Sequence, residues 1–329
     1  MRGNNMAITS LPTSESRRHR QTLRWLAAGL GKASAVLLIS MALVMGASAR
    51  MLQPFGGYDL WFLSMSTALA ESASQTRDHV TKLVKQIQRA DYEGDRAALK
   101  RLHDELADFR NSKELAAQVQ YWQGFALWRR AINGFNEQID RQELQADLKH
   151  ATDEFNEAER QRPNFVDAKV GQLSCIGMLG ASMIQGNRER LKDPDIQAML
   201  TKIMQLIKEA DAIDPQNPRL VWAKGPSIWH VPVEKGGGPQ KVIEMYEKEL
   251  DLIQQHKITN STDPLEPSWG EAELLMSLAW SKLNGATPDV DAAERYAQSA
   301  LKLVPYWHYT RDILLPQIET AKAKKVAAK

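Results

Sequence analysis

The stretch VPVEKGGGPQKVIEMYEKELDLIQQ, Val231 to Gln255, decides between two kinds of protein. A glycine run entering an amphipathic segment is either a loop that cradles phosphate or a turn between packed helices. A phosphate loop of the P-loop type needs G-x-x-x-x-G-K-[ST] after a strand. Here Gly236, Gly237 and Gly238 lead into Pro239-Gln240-Lys241, with no Ser or Thr after the lysine. The preceding NPRLVWAKGPSIWHVP is interrupted by Pro226 and Pro232, which argues against a strand. The structural reading fits better. Glycine supplies backbone angles that other residues resist. Pro239 suits a first helical turn, where its missing N–H is not needed. Val242, Tyr246, Leu250 and Ile253 then mark one packing face. Gly236, Gly237, Gly238 and Pro239 are therefore expected to form a structural turn before a helix.

Outward from this stretch the same helical periodicity recurs, and no segment after Glu71 shows strand-like alternation. RDHVTKLVKQIQRA places Val80, Leu83, Val84 and Ile87 on one stripe. DRAALKRLHDELADF does the same with Leu99, Leu102 and Leu106, and Gly94 breaks the chain between them. SKELAAQVQYWQGFALWRRAING, ELQADLKHATDEFNEAERQRP, NFVDAKVGQLSCIGMLGASMI, DIQAMLTKIMQLIKEADAIDP, PSWGEAELLMSLAWSKLNG, DVDAAERYAQSALKLVP and YWHYTRDILLPQIETAKAKK continue the series. In the apolar segment among these, Gly171, Gly177 and Gly180 are expected to let a neighbour approach.

Three of the segments end alike. Ala151, Phe155, Ala158 and Pro163 are spaced four, three and five residues apart, as are Ala293, Ala297, Ala300 and Pro305, and Ile203, Ile207, Ala210 and Pro215. The proline stops the helix by removing a donor and disfavouring helix in the residue before it. This small–bulky–small–proline ending resembles the second half of a tetratricopeptide repeat, over roughly Ser112 to Lys329. GGGPQKVIEMYEKEL and EPSWGEAELLMSLAW are similar to exported bacterial tetratricopeptide-repeat proteins. In style the chain also resembles the T component of TRAP-type uptake systems, but it lacks their lipoprotein cysteine. The resemblance implies an all-α fold of antiparallel helix hairpins stacked as an α-solenoid over 72–325. The end of the basic stretch KAKKVAAK, 326–329, is expected to be a frayed tail.

The N-terminus has a different character. Arg17, Arg18, Arg20 and Arg24 precede an uncharged, mostly apolar run, Ala33 to Ala49, that closes on Ala47-Ser48-Ala49. Basic head, apolar middle and small-residue end describe a secretory signal over 1–49, with an uncleaved signal anchor as the alternative. A partly apolar linker is expected at 50–71, with a second small-residue motif at Ala68-Leu69-Ala70. Arg20 stands where a twin-arginine signal has a large apolar residue. Either main reading places the body outside the cytoplasm, with the bacterial periplasm as the expected compartment.

The 329 residues carry 42 basic and 40 acidic side chains and a net charge of +2. That balance gives no electrostatic footprint for nucleic acid. The one cysteine, Cys175, permits no internal disulfide and is expected to be a buried helix residue. His230, His308, Glu234 and Glu271 match no zinc-ligand spacing, and no nucleophile motif occurs, so neither metal, cofactor nor catalysis is expected. Tryptophans crowd the last third: Trp222, Trp229, Trp269, Trp280 and Trp307. They serve either as core anchors or as the lining of an aromatic groove. In the second case Trp222, Trp229, Tyr246, Trp269 and Trp280 are the candidate binding residues. The function expected is non-catalytic binding of a protein or peptide segment, or alternatively of a small solute in an uptake system.

Overall fold

The computed structural model describes residues 58–327 except 138, 256–257 and 259–260, with side chains described for 73–325 within that range. The expected signal segment at 1–49 lies outside the described residues. Of the linker expected at 50–71, the part from Tyr58 onward is helical. The chain divides into two units, 1–69 and 70–329, and the second holds the helical array.

Eleven α-helices follow in order among the described residues: α1 (Tyr58–Glu93), α2 (Arg96–Leu106), α3 (Ala116–Asn136), α4 (Arg141–Gln161), α5 (Val166–Ile184), α6 (Pro194–Ile213), α7 (Pro218–Trp229), α8 (Pro239–Gln254), α9 (Glu271–Asn284), α10 (Val290–Leu303) and α11 (Leu315–Ala327). A π-helical turn, Tyr309–Leu314, leads into α11. No described residue is in a strand, and no described helix is long and apolar enough to cross a membrane. The fold is all-α, as the sequence implies.

Local chemistry sets the helix ends. Gly94 takes φ +76° and lets the chain reverse after α1. Asp95, Asp140, Asn217 and Asp289 cap α2, α4, α7 and α10 by accepting hydrogen bonds from first-turn amides. Pro194, Pro218 and Pro239 open their helices, as proline's fixed φ favours.

Helices pair as antiparallel hairpins: α3 with α4, α5 with α6, α7 with α8 and α9 with α10. The first helices of successive hairpins, α3, α5, α7 and α9, touch one another more closely than the second helices do. The array therefore curves towards its first helices, which form the inner face of a solenoid-like stack. The repeated ending explains the packing. Ala151, Phe155 and Ala158 on α4, and Ala293, Ala297 and Ala300 on α10, are all fully buried. Phe155 is seated by missing side chains: a Cβ on Gly124 of α3 would lie 3.0 Å from its ring, and Gly171 of α5 leaves still less room. Gly177 and Gly180, by contrast, have only ordinary contacts, 3.8 and 3.7 Å away, and are not close-approach sites.

The apolar interior has a large first core from α1 to α7, built around Tyr121, Trp122, Phe125, Trp128 and Phe155, and a second core from α7 to α10. Cys175 is fully buried in the first, and burial pushes its thiol pKa up. It is an inert core residue.

Candidate binding surface

Within the array, α3, α5 and α7 present side chains inward, and the chain itself covers them. The connection between α8 and α9 comes back across the inner face as a non-helical segment, Asp263 to Gly270, a tight turn followed by irregular backbone. Asp263 folds its start: its side chain accepts from Leu265 N at 3.0 Å and its carbonyl from Glu266 N at 3.1 Å. Residue by residue, the helices then hold the segment. Arg77 of α1 donates to Asp263 at 2.6 Å. The Trp122 indole N–H donates to the Leu265 carbonyl at 2.8 Å. Arg162 grips Glu266 with two nitrogens, at 2.6 and 2.9 Å, and lays its guanidinium over the Phe165 ring. Gln118 adds a third donor to Glu266. Arg219 donates to the Trp269 carbonyl at 3.0 Å while its Nε binds Asp167 at 2.5 Å. Backbone carbonyls, a carboxylate and an indole of the segment are all read by helix side chains, as an added peptide would be.

Trp269 ends this segment. It is 7% exposed, its N–H donates to the Tyr121 hydroxyl at 2.9 Å, and its ring meets Trp128 at 5.7 Å and Trp222 at 5.6 Å. Trp222 donates to Ser277 of α9, and buried Tyr246 donates to the Trp222 carbonyl at 2.8 Å. Beneath them lies a buried ionic group. Arg129 is bound to Asp91 at 2.7 Å and faces Glu273 at 3.7 Å, while Tyr92 donates to Glu273 at 2.7 Å. Burial raises the Asp91 pKa despite Arg129; burial lowers that of Arg129, but the Asp91 and Glu273 carboxylates raise it by more, so the cation stays charged. This network joins α1, α3 and α9, with Asp91, Arg129 and Glu273 all buried.

The five residues expected to line an aromatic groove thus separate. Trp222, Trp269 and Tyr246 pack on one another and on the core, with the chain's own segment seated among them. Trp229 and Trp280 differ. One helical turn or two farther along α7 and α9, they stack at 5.0 Å in a tilted pair, and Trp280 remains 37% exposed. The tryptophan stripe of the inner face is closed at one end and open at the other. Val233, 75% exposed in the turn after α7, adds apolar surface near the C-terminal end of that helix.

No family model matches the chain and no curated protein matches it. Among solved structures the chain is similar to the HusA haemophore from Porphyromonas gingivalis, at 17% identity and a TM-score of 0.44, over 61% of this chain and 90% of that one. That similarity is too slight to transfer a family or a ligand.

The glycine turn has a clear geometry. Gly236 and Gly238 take φ +81° and +99°. Gly237 does not adopt a positive φ. It is glycine for space, because a Cβ there would lie 2.6 Å from Val231 Cγ1 and 2.7 Å from the Val231 carbonyl oxygen. The N–H groups of Gly236, Gly237 and Gly238 donate to the carbonyls of Val233, Pro232 and Ile228. All three amides are committed within the turn, and Pro239 brings none, so the run presents no nest of amides for a phosphate.

Two clefts occur away from the tryptophans. One of about 340 Å³ lies between Phe135, Leu144, Ala181 and Gln185, and the other runs along Lys100, Asp104 and Arg130. On α8, Glu249 is buried and its Oε1 has no hydrogen-bond partner; burial and the nearby Asp214 charge push its pKa up to about 7. Sequence reasoning missed the role of the segment at 263–270. The only signal was local: Pro264 and Pro267 bias their neighbours to extended backbone.

Proposed function

We propose that the chain is a non-catalytic binding scaffold, and that it takes an extended, apolar protein or peptide segment on the open end of its inner face at Trp229 and Trp280. One observation carries the reading. The same inner face already holds a non-helical segment, Asp263 to Gly270, through Trp122, Arg162 and Arg219. A surface that binds its own chain in this way, and continues into a partly exposed tryptophan pair, is suited to a second segment. Large aromatic anchors contribute most of the energy in such contacts. The exported tetratricopeptide-repeat style and the basic–apolar–small N-terminus support a site of action outside the cytoplasm. The solute-binding alternative needs a cavity beside Trp222 and Trp269, and those rings are in contact with each other instead.

The test is selection of displayed random peptides against the chain, counter-screened on the Trp229→Ala/Trp280→Ala double variant. Peptides rich in apolar residues that bind the parent and lose at least ten-fold in affinity on the double variant support the proposal. Enriched peptides indifferent to both substitutions, or no enrichment at all, contradict it.

A further inference from the structure

A second cluster lies away from the tryptophans, where α2 meets α4. His103 of α2 and Glu154 of α4 are buried, at 4% and 5% exposure, while His150 lies one turn before Glu154 on the rim. His150 Nε2 is 3.3 Å from Glu154 Oε1, and His103 Nε2 is 3.7 Å from the same oxygen. The three candidate ligand atoms lie within 4.8 Å of one another. Tetrahedral zinc, with bonds of 2.0–2.2 Å to nitrogen and oxygen, spaces its ligand atoms by about 3.3 Å. The two distances to Glu154 Oε1, 3.3 and 3.7 Å, are within a few tenths of an ångström of that spacing, and the two imidazoles approach it by side-chain rotation.

The state of His103 is the independent observation. Its Nδ1 is 2.8 Å from Asp104 Oδ1, so that nitrogen carries the proton and donates it to the carboxylate. In the neutral imidazole Nε2 then bears a lone pair; that atom is buried and has no hydrogen-bond partner. It faces a carboxylate oxygen across 3.7 Å, an arrangement of two electron-rich atoms that a cation between them would resolve. A carboxylate on the far nitrogen of a ligating imidazole is the usual support for zinc-class sites, since it fixes the tautomer and strengthens the ligand. Gln123 completes the frame by donating to the His103 carbonyl at 2.9 Å.

We propose that His103, His150 and Glu154 form a binding site for a divalent transition-metal ion of the zinc class, with a fourth position open to solvent beside His150. Arg110 tempers the site. Its Nη2 also contacts Glu154 Oε1, held there by a 2.6 Å bond from Nε to Gln123. Metal and guanidinium share one carboxylate, so the ion binds reversibly rather than as a structural staple. Imidazole and carboxylate ligands together favour zinc, nickel or copper over calcium and magnesium.

The experiment uses the full-length chain, stripped with chelator and titrated with zinc chloride by calorimetry, then with cobalt(II) by visible absorption. The expected result is one saturable zinc site and the d–d bands of four-coordinate cobalt. His150→Ala, a change on the exposed rim, is expected to weaken zinc at least ten-fold and abolish the cobalt bands without moving the melting temperature of the metal-free chain. Asp104→Asn is expected to weaken zinc about ten-fold through the lost support of His103. Absence of saturable zinc binding, or binding unchanged by His150→Ala, overturns the proposal.

Discussion

Trp269 and Trp280 stand on the same inner face, eleven positions apart in the chain, yet they live in different worlds. Around Trp269 its indole N–H and its carbonyl both have partners, the rings of Trp128 and Trp222 close over it, and the segment it belongs to is fastened by Arg162 and Arg219. Around Trp280 the only aromatic partner among the described residues is Trp229, and more than a third of the residue meets solvent. The contrast shows that an inner face does not by itself make a binding site in a curved helical stack. What decides is whether the chain's own connections cover it. Here the long connection between α8 and α9 covers the first half and leaves the second.

Substituting the two tryptophans breaks or upholds this comparison with the largest effect. Trp269→Ala empties a packed site and is expected to cost about 3–5 kcal/mol in urea unfolding. Trp280→Ala removes a half-covered ring and is expected to cost under about 1 kcal/mol. Similar costs at both positions would erase the distinction.

Glu249 sharpens the comparison by pH. In the first half buried carboxylates are matched by Arg129 and Arg219, whereas Glu249 in the second half has none. Its folded-state pKa of about 7 lies above its ordinary 4.5, so the native state holds the proton more tightly than the unfolded chain. Stability is therefore full below about pH 4.5 and falls as pH rises through about 7. Glu249→Gln is expected to be more stable than the parent by about 1–3 kcal/mol above pH 7, the gap closing towards pH 4.5. Thermal melts across that window check it, and an unchanged pH profile contradicts it.

Gly237→Ala gives a comparable or smaller effect. The added methyl meets Val231, and the turn must shift, at a cost of about 1–3 kcal/mol in melting experiments. Peptide binding by the folded fraction is expected to persist, since the turn's amides are already used within the turn.

The sequence exposes some of this design and hides the rest. Pro163, Pro215 and Pro305 mark hairpin ends because proline acts on its nearest neighbours, and the buried alanines of α4 and α10 follow from helical spacing. The split among the tryptophans is not legible. Whether Trp269 is covered depends on Tyr121, 148 residues earlier, and no periodicity links the two. The metal-site geometry is hidden for the same reason. His150 and Glu154 show a one-turn spacing on one helix, but His103 arrives from another, packed there by α2.

The most direct test of the account is fluorine NMR of the chain labelled with 5-fluorotryptophan, each resonance assigned by single Trp→Phe changes, with a peptide from the selection and a soluble paramagnetic agent. The account predicts that the agent broadens Trp280 and Trp229 but spares Trp122, Trp128 and Trp269, and that the peptide shifts the first pair alone. Shifts at Trp269 and Trp122 on peptide addition, with Trp229 and Trp280 unmoved, would mean that the segment at 263–270 leaves its seat and that the ligand binds where it lay, contradicting the central claim.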